Sequence, residues 1–399
     1  MKKLLILGAM GMHVPLIERA KELGFYTITC DYIPEAPGHK IADEYHYDST
    51  TDLNAVLQLA EKLQIDAIMT YNSDPAAPTT AYVAEKLNLP GNPYQAVKIM
   101  SEKDLFRNFL LENGLNHPQF FPYDKSAEKL PDIPGDCYPL IVKPVDSSGS
   151  KGCTVVHECS AVPEALATAL SKSRCGRCII EEYIEPQGRQ LHGDGFVANG
   201  KIDFLYLGDH YFDENINNLV PYSTAYPTRH SPEEFQACKD EIQSFITKVG
   251  FKNGGFNVEL RISRKTGKPY IIDIGARNGG NFTPRIIEYA TGFNFLDAAL
   301  AVASNTEIPE QKIEKQGFFS YLILHSRQKG ILKNISLSNE IESRILEKHI
   351  YSQPGDEVDV FTGANTALGV LLMKYESREI MEYIINNFEK LYSVELDVN

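Results

Sequence analysis

Apolar residues over the first 95 positions come in short runs that alternate with amphipathic stretches. LLILG, YTITCD and DAIMTY read as buried strands, with helices up to Leu23, near Leu53–Leu63 and near Ala81–Leu87. Strand–helix alternation predicts a parallel, doubly wound sheet that takes ligands at the carboxyl ends of its strands. Gly8 and Gly11 fall in the first strand-to-helix turn and Asp31 ends the second strand. A dinucleotide fold would place them so, but Met10 stands where the second glycine of G-x-G-x-x-G belongs. A nicotinamide site is therefore the lesser reading for this stretch, behind a small substrate or no ligand. Tyr71 to Asp74 follow the third strand and either reach the same crevice or cap the next helix.

The helical period returns over Ser101–Asn113, with Leu105, Phe106, Phe109 and Leu110 as its apolar stripe, Ser101 as its cap and Gly114 as its stop. Lys103 and Arg107 share another face, which on a surface helix is ordinarily solvated. Pro118–Asp136 is proline-rich and polar and reads as a connector into a second unit that begins near Tyr138. There, LIVKPVDSSGSKG (Leu140–Gly152) joins a buried strand, a lysine at its end (Lys143) and a loop of small residues: Ser147, Ser148, Gly149, Ser150 and Gly152. Backbone N–H groups of such a loop are free to face an anion, so a phosphate cradle is one reading and a plain turn the other. It is not a Walker A loop, because the lysine precedes the glycines. TVVH, a helix near Pro163–Lys172 and CIIEEYIEP follow. Glu181 and Glu182 lie where that last apolar run meets Pro186, a position that suits a hinge between two lobes, with one acid exposed.

Alternation with a period of two is cleanest in Phe256–Ile262 and Tyr270–Ile274, which flank SRKTGKP and predict a hairpin. Val258, Leu260 and Ile262 share one face with Ile272 and Ile274, while Asn257, Glu259 and Arg261 share the other with Asp273. With the turn centred near Thr266, Glu259 and Asp273 face each other. Opposed carboxylates repel, so either a cation lies between them or the register slips. Beside a phosphate cradle, oxygen ligands suit Mg2+. The strand runs on into GARNGGN, which brings Arg277 to the same end, where a guanidinium can grip phosphate bidentately. Thr283–Ala290 and Phe295–Ala303 read as packing helices. A third unit begins near Gly317, with strands at FFSYLIL and ALGVLLMKY and a helix near Ser377–Leu391, and carries no catalytic pattern.

At 399 residues the chain exceeds one ordinary core, and two or three domains are expected. A net charge of −14 argues against wrapping a nucleic acid or an anionic membrane, so an anionic substrate would need a local cluster of Lys and Arg. The opening MKKLLILGAMGM has the look of a signal peptide, yet it continues into a helix and a second strand. No apolar run approaches the roughly 20 residues of a membrane span, so a cytoplasmic location is expected. Seven scattered cysteines make no disulfide framework. Cys175 and Cys178 form C-x-x-C, but with Cys153 and Cys159 they lack the paired knuckles of a zinc site.

Taken in order, Lys103, Lys143, the Ser/Gly loop, the EEYI hinge, Glu259, Asp273 and Arg277 resemble the ATP-grasp superfamily of carboxylate–amine ligases. The resemblance covers nearly the whole chain and runs to the biotin-carboxylase-like, carbamoyl-phosphate-synthase-like and amino-acid-ligase-like members. It implies an α/β and α+β architecture: a Rossmann-like pre-grasp domain over 1–95, a two-lobed ATP-grasp domain over 96–310 and a small closing domain over 311–399. It implies Lys103 and Lys143 at the α- and β-phosphates, with Ser147 to Gly152 folded over them. Glu181, with Glu182 and the Tyr183–Ile184 backbone, would hold the adenine, Glu259 and Asp273 would hold Mg2+ or Mn2+, and Arg277 would meet the transferring phosphate. Two departures stand out. E-x-N-P-R appears here as Asp273-Ile-Gly-Ala-Arg277, so Gly275 replaces the usual Asn, with Asn257 or Asn281 as substitutes. At the ribose the chain offers Gln190, with Glu185 and Asp194 nearby.

The activity so implied is ATP- and metal-dependent joining of a small carboxylate to an amine through an acyl phosphate, by an enzyme expected to be a homodimer. Gly208–Tyr226 is polar, aromatic and long, and borders the acceptor pocket or forms a surface loop. His210 and Asp213 are its candidate substrate contacts, joined by Asp74 and Asn281. Two other classes remain open: an ATP-binding protein without ligase activity, and an NAD-dependent oxidoreductase using the N-terminal unit.

Overall fold

The computed structural model describes residues 1–127, 129–213 and 215–397. Strands β1 (Lys3–Leu7), β2 (Tyr26–Cys30), β3 (Glu44–His46) and β4 (Ala67–Met69) form a parallel sheet in the order β3-β2-β1-β4, the doubly wound unit read from the sequence. Its first turn is closed to a dinucleotide. Gly8 has φ +113°, and a Cβ there would lie 2.4 Å from Nε2 of His13, whose buried ring fills the turn. Asp31, rather than facing a ribose, accepts the Ala9 N–H (3.0 Å) and the Ile33 N–H (3.1 Å) and braces that loop.

A small antiparallel sheet follows: β5 (Phe120–Asp124), β6 (Leu140–Pro144), β7 (Thr154–Val156) and β8 (Arg177–Glu182), in the order β5-β8-β6-β7. Part of the expected connector is thus a strand, β5. Its Phe120–Asp124 register against β8 supplies ladder partners that outweigh the proline within it, as an edge strand allows.

The largest sheet contains β9 (Leu191–Ala198), β10 (Lys201–Asp213), β11 (Asn217–Tyr226), β12 (Gly254–Ile262), β13 (Pro269–Gly275) and β14 (Phe318–Leu324). The chain continues through β15 (Gly330–Leu337), β16 (Ile345–Ile350), β17 (Glu357–Val358), β18 (Gly369–Tyr375) and β19 (Tyr392–Asp397). Eight strands pair in the order β13-β12-β9-β10-β11-β14-β18-β16, and β17-β15-β19 make a three-stranded sheet. Gly208–Tyr226 is therefore mostly the β10–β11 hairpin, not a surface loop. The helix Pro232–Val249 packs Cys238, Ile242, Phe245 and Ile246 into the core on one face of this sheet. It opens with a complete Ser231/Glu234 capping box.

Two local expectations are corrected. Ser101 does not cap the helix carrying Lys103: it ends the preceding helix Tyr94–Ser101, its hydroxyl donating to Val97 O (2.8 Å), and Glu102 is the N-cap of Lys103–Glu112. In the hairpin, Glu259 does stand opposite Asp273, but a bulge beyond Glu259 sets Leu260 opposite Ile271. The extra residue shifts the parity, so Ile271, not Ile272, joins the buried face.

Candidate active site

Lys143 is the last residue but one of β6, a strand buried along its whole length. Its register with β8 sets Ile141 opposite Glu181, so Lys143 and Glu181 are diagonal neighbours on one face. Lys143 Nζ donates to Glu181 Oε2 at 2.8 Å. Arg107 takes both oxygens of the same carboxylate, Nε to Oε1 at 2.8 Å and Nη2 to Oε2 at 3.3 Å. It is 1% exposed, so the expectation of a solvated Lys103/Arg107 face is overturned. Burial would push Glu181 up, but the Arg107 and Lys143 charges reverse this and hold it at about 2. Both Glu181 oxygens being engaged, its carboxylate anchors two cations instead of waiting for an adenine. Glu182 points outward, its Oε1 3.7 Å from Lys265 Nζ. At the hinge the Tyr183 N–H is taken by Pro139 O (2.8 Å) and Ile184 O by Arg261 Nη1 (3.0 Å), while the Arg261 guanidinium lies 4.4 Å over the Tyr183 ring.

The loop after β6 reverses through left-handed backbone at Gly149 (φ +65°), Ser150 (+56°) and Gly152 (+76°). Its start is tied by Lys103, whose Nζ donates to Ser147 O (2.9 Å), and its tip by the Ser150 hydroxyl on Leu219 O of β11 (2.7 Å). The loop thereby reaches from the small sheet to the large one. Lys103 Nζ also lies 3.7 Å from Asp273 Oδ2, so the cradle and the hairpin carboxylates share one cleft.

On the hairpin, burial and the facing Asp273 push Glu259 up to about 7. Gln190 Nε2 donates to Glu259 Oε2 (2.8 Å) and its Oε1 accepts from Arg261 Nε (2.6 Å). Gln190 is thus committed to bracing the carboxylate. Asp194, another ribose candidate, is fully buried and accepts the Gly279 N–H (2.8 Å) and Asn257 Nδ2 (2.7 Å); burial raises it to about 6. Glu185 is exposed, 3.9 Å from Arg264.

Arg277 reaches the expected end of β13, but it is paired with Asp74: Nε and Nη2 each donate to a separate Asp74 oxygen at 2.6 Å. Gly275 makes room for this. A Cβ there would sit 2.9 Å from Asp74 Oδ1 and 3.3 Å from Arg277. The missing asparagine and the Asp74–Arg277 pair are one steric fact.

His210 and Asp213 are not brought together. Asp213 lies toward the far end of the hairpin, accepting from Arg327 at 2.5 Å. His210 lies in the sheet, stacked on His192 (ring centroids 4.3 Å), with Nδ1 2.7 Å from Thr224 Oγ1; burial holds both imidazoles well below their ordinary values and so neutral. Thr224 donates to Tyr321 OH (2.7 Å), which Asn281 also approaches. His192, Thr224 and Tyr321 were missed, although once the strand order is known His192 stands opposite Glu259, Thr224 opposite His210 and Tyr321 opposite Thr224. A cavity of about 330 Å3 adjoins the cleft, lined by Asp74, Lys103, Ser147, Ser148, Arg177 and Asp273.

The residues present fit a nucleotide and a divalent cation. Glu259, pushed up first by burial and then by the facing Asp273, stands across the ladder from a second carboxylate, an oxygen pair of the kind that holds a hard cation, and Lys143 and Lys103 lie close enough to act on it. Two jaws meeting over such a cleft define a nucleotide-grasping fold.

Comparison with known proteins makes this specific: residues 100–281 match the family described as ATP-grasp domain. Over 189 residues it is 29% identical to formate-dependent phosphoribosylglycinamide formyltransferase of Prochlorococcus marinus (strain NATL2A), covering 46% of this chain and 48% of that enzyme. The chain thus matches about half the length of that relative. It is 24% identical to N5-carboxyaminoimidazole ribonucleotide synthase of Staphylococcus haemolyticus (strain JCSC1435), covering 94% of this chain and 96% of that one. The crystal structure of L-amino acid ligase from Bacillus licheniformis superposes with a TM-score of 0.82 at 22% identity, covering 100% of this chain and 99% of that one, which speaks for the fold. Among the described residues no single helix is long and apolar enough to cross a membrane.

Proposed function

We propose that the protein is an ATP-dependent ligase that joins a small carboxylic acid to an amine. The observation that carries this is the shared cleft: Lys103 within 3.7 Å of Asp273, with Lys143 on the opposite jaw and Glu259 facing Asp273 across the ladder. In the reaction, a substrate carboxylate oxygen attacks the γ-phosphorus and ADP leaves, giving an acyl phosphate. The amine nitrogen then attacks the acyl carbon, phosphate departs and the amine loses a proton. Catalysis of this kind needs alignment and charge neutralisation more than covalent help.

Lys103, Lys143 and the Ser147–Gly152 loop would bind the phosphates, and the hinge through Tyr183 and Ile184 the base. Glu259 and Asp273 would hold Mg2+ or Mn2+, which when bound offsets the charge of the β- and γ-phosphates. Arg277 would exchange Asp74 for the transferring phosphoryl group or the substrate carboxylate. His210, Thr224, Tyr321 and Asn281 would line the acceptor side as neutral hydrogen-bonding groups. The similarity to an N5-carboxyaminoimidazole ribonucleotide synthase and to an L-amino acid ligase supports this chemistry. Division at residues 95 and 310, a cytoplasmic location and a homodimer belong to the same proposal.

The test is a screen of amino acids and other small acids, singly and with amines, for Mg2+-dependent ADP release, with mass spectrometry of the product. An amide product with stoichiometric ADP is expected. Nucleotide binding without release under any acid and amine pair would favour a binding-only protein, the reading that the occupied Arg277 and the absent asparagine at Gly275 support.

A further inference from the structure

We infer that Arg107 is a positioning residue that keeps Lys143 a net cation toward the nucleotide phosphates, an inference that rests on the nucleotide reading above. Lys143 is in contact with Glu181 at 2.8 Å, and as a pair the two are neutral. A polyphosphate approaching that pair would meet a dipole, not a charge. Arg107 supplies the missing positive charge: with it, the buried cluster of Arg107, Glu181 and Lys143 sums to +1. Charges this deeply buried are poorly screened, so the sum is felt in the cleft.

The same guanidinium also fixes geometry. Beyond its two bonds to Glu181, Nη1 donates to Ile271 O (2.9 Å) and Nη2 to Ile272 O (2.8 Å). The β13 bulge leaves these consecutive carbonyls for a partner outside the ladder, and Asp273 is the next residue. Arg107 therefore ties β8, which carries Glu181, to the strand that carries Asp273. Its place four residues after Lys103 lets one helix deliver both groups to the cleft. A planar fork suits four acceptors spread in this way; an ammonium supplies the charge without the span.

The experiment measures MgATP affinity by calorimetry, with a thermal melt of each protein, for the unaltered chain, Arg107→Gln, Arg107→Gln/Glu181→Gln, Arg107→Lys and Lys143→Ala. Arg107→Gln is expected to weaken binding at least about tenfold, as loss of a buried charge requires. The double variant leaves Lys143 as the lone uncompensated charge, and its affinity is expected to return to within about threefold of the unaltered chain. A merely structural brace would leave the double variant no better than the single one, and that result overturns the inference. If Arg107→Gln does not fold, a folded double variant or Arg107→Lys decides it. Near-normal affinity in either supports the charge role, and a loss as large as that of Lys143→Ala overturns it. MgATP binding by the unaltered chain with Arg107→Gln unchanged sinks the Arg107 inference alone, whereas no MgATP binding by the unaltered chain sinks the nucleotide reading and this inference with it.

Discussion

Glu259→Gln removes one of two facing carboxylates while keeping the side chain's length and its ability to accept from Gln190 Nε2. Burial and Asp273 raise Glu259 from an ordinary 4.5 to about 7. Between those values the folded chain holds a proton that the unfolded chain has released. Stability therefore falls as pH rises through this window, and the penalty is complete above it. A shift of this size corresponds to about 3 kcal/mol, which the partly open side of the cleft reduces to about 2 kcal/mol. Urea unfolding in EDTA, at about pH 5.5 and about pH 8.5, reads it directly. About 1 kcal/mol of this falls between the two conditions, the rest being lost already by pH 5.5, so the unaltered chain should lose about 1 kcal/mol more than Glu259→Gln, leaving the variant the more stable at high pH. Millimolar Mg2+ should reverse the order, because the cation stabilises the facing pair and not the glutamine. Metal-dependent ADP release should be lost at the same time. A variant no more stable than the parent at high pH in EDTA would refute the reasoning, since the two acids would then not be opposing each other.

Asp273→Asn should abolish metal-dependent turnover without lowering the thermal melt, since it too relieves the opposed pair; retained turnover would exclude Asp273 from the metal pair. Arg277→Ala should lower kcat about a hundredfold, as for other preorganised charges, and an effect confined to KM would contradict its place at the reacting phosphate. Asp74→Asn loosens Arg277, whose two 2.6 Å bonds link the N-terminal unit to the site. It should cost about 1–3 kcal/mol of stability by urea unfolding, and no cost would mean the pair is solvated. Burial lowers His13 from 6.5 to about 4. Below pH 6.5 the unfolded chain gains a proton that the folded chain refuses, so this residue makes stability fall as pH drops toward 4. His13→Leu should flatten that fall by about 2 kcal/mol at about pH 5, and an unchanged slope would clear His13 of it.

What could be read from sequence was what local periodicity encodes. Runs buried on both faces gave the parallel sheet, period-two alternation gave the hairpin, and the opposition of Glu259 and Asp273 followed from counting outward from the turn. Lys143 at the end of a buried strand was legible for the same reason. The helix Pro232–Val249 was also legible and was overlooked: Ser231-Pro-Glu-Glu234 is a capping-box signal. The bulge at Ile271–Asp273 was not, because an extra residue in a ladder is fixed by the partner strand and leaves no mark in one strand's own pattern.

Contacts between distant elements were settled only by the tertiary structure. Nothing local marks Arg107 as buried; its charge is tolerable inside only because Glu181, 74 residues later, and two carbonyls more than 160 residues later converge on it. In the same way Arg277 meets Asp74 across 203 residues, and a side chain at Gly275 would crowd that pair, its Cβ 2.9 Å from Asp74 Oδ1. The sequence by itself determined which residues carry the chemistry, since residue type and local period decide charge and facing. The tertiary structure decided which of them are free and which are held, because the free energy of a buried charge depends on partners that the chain brings together only when it folds.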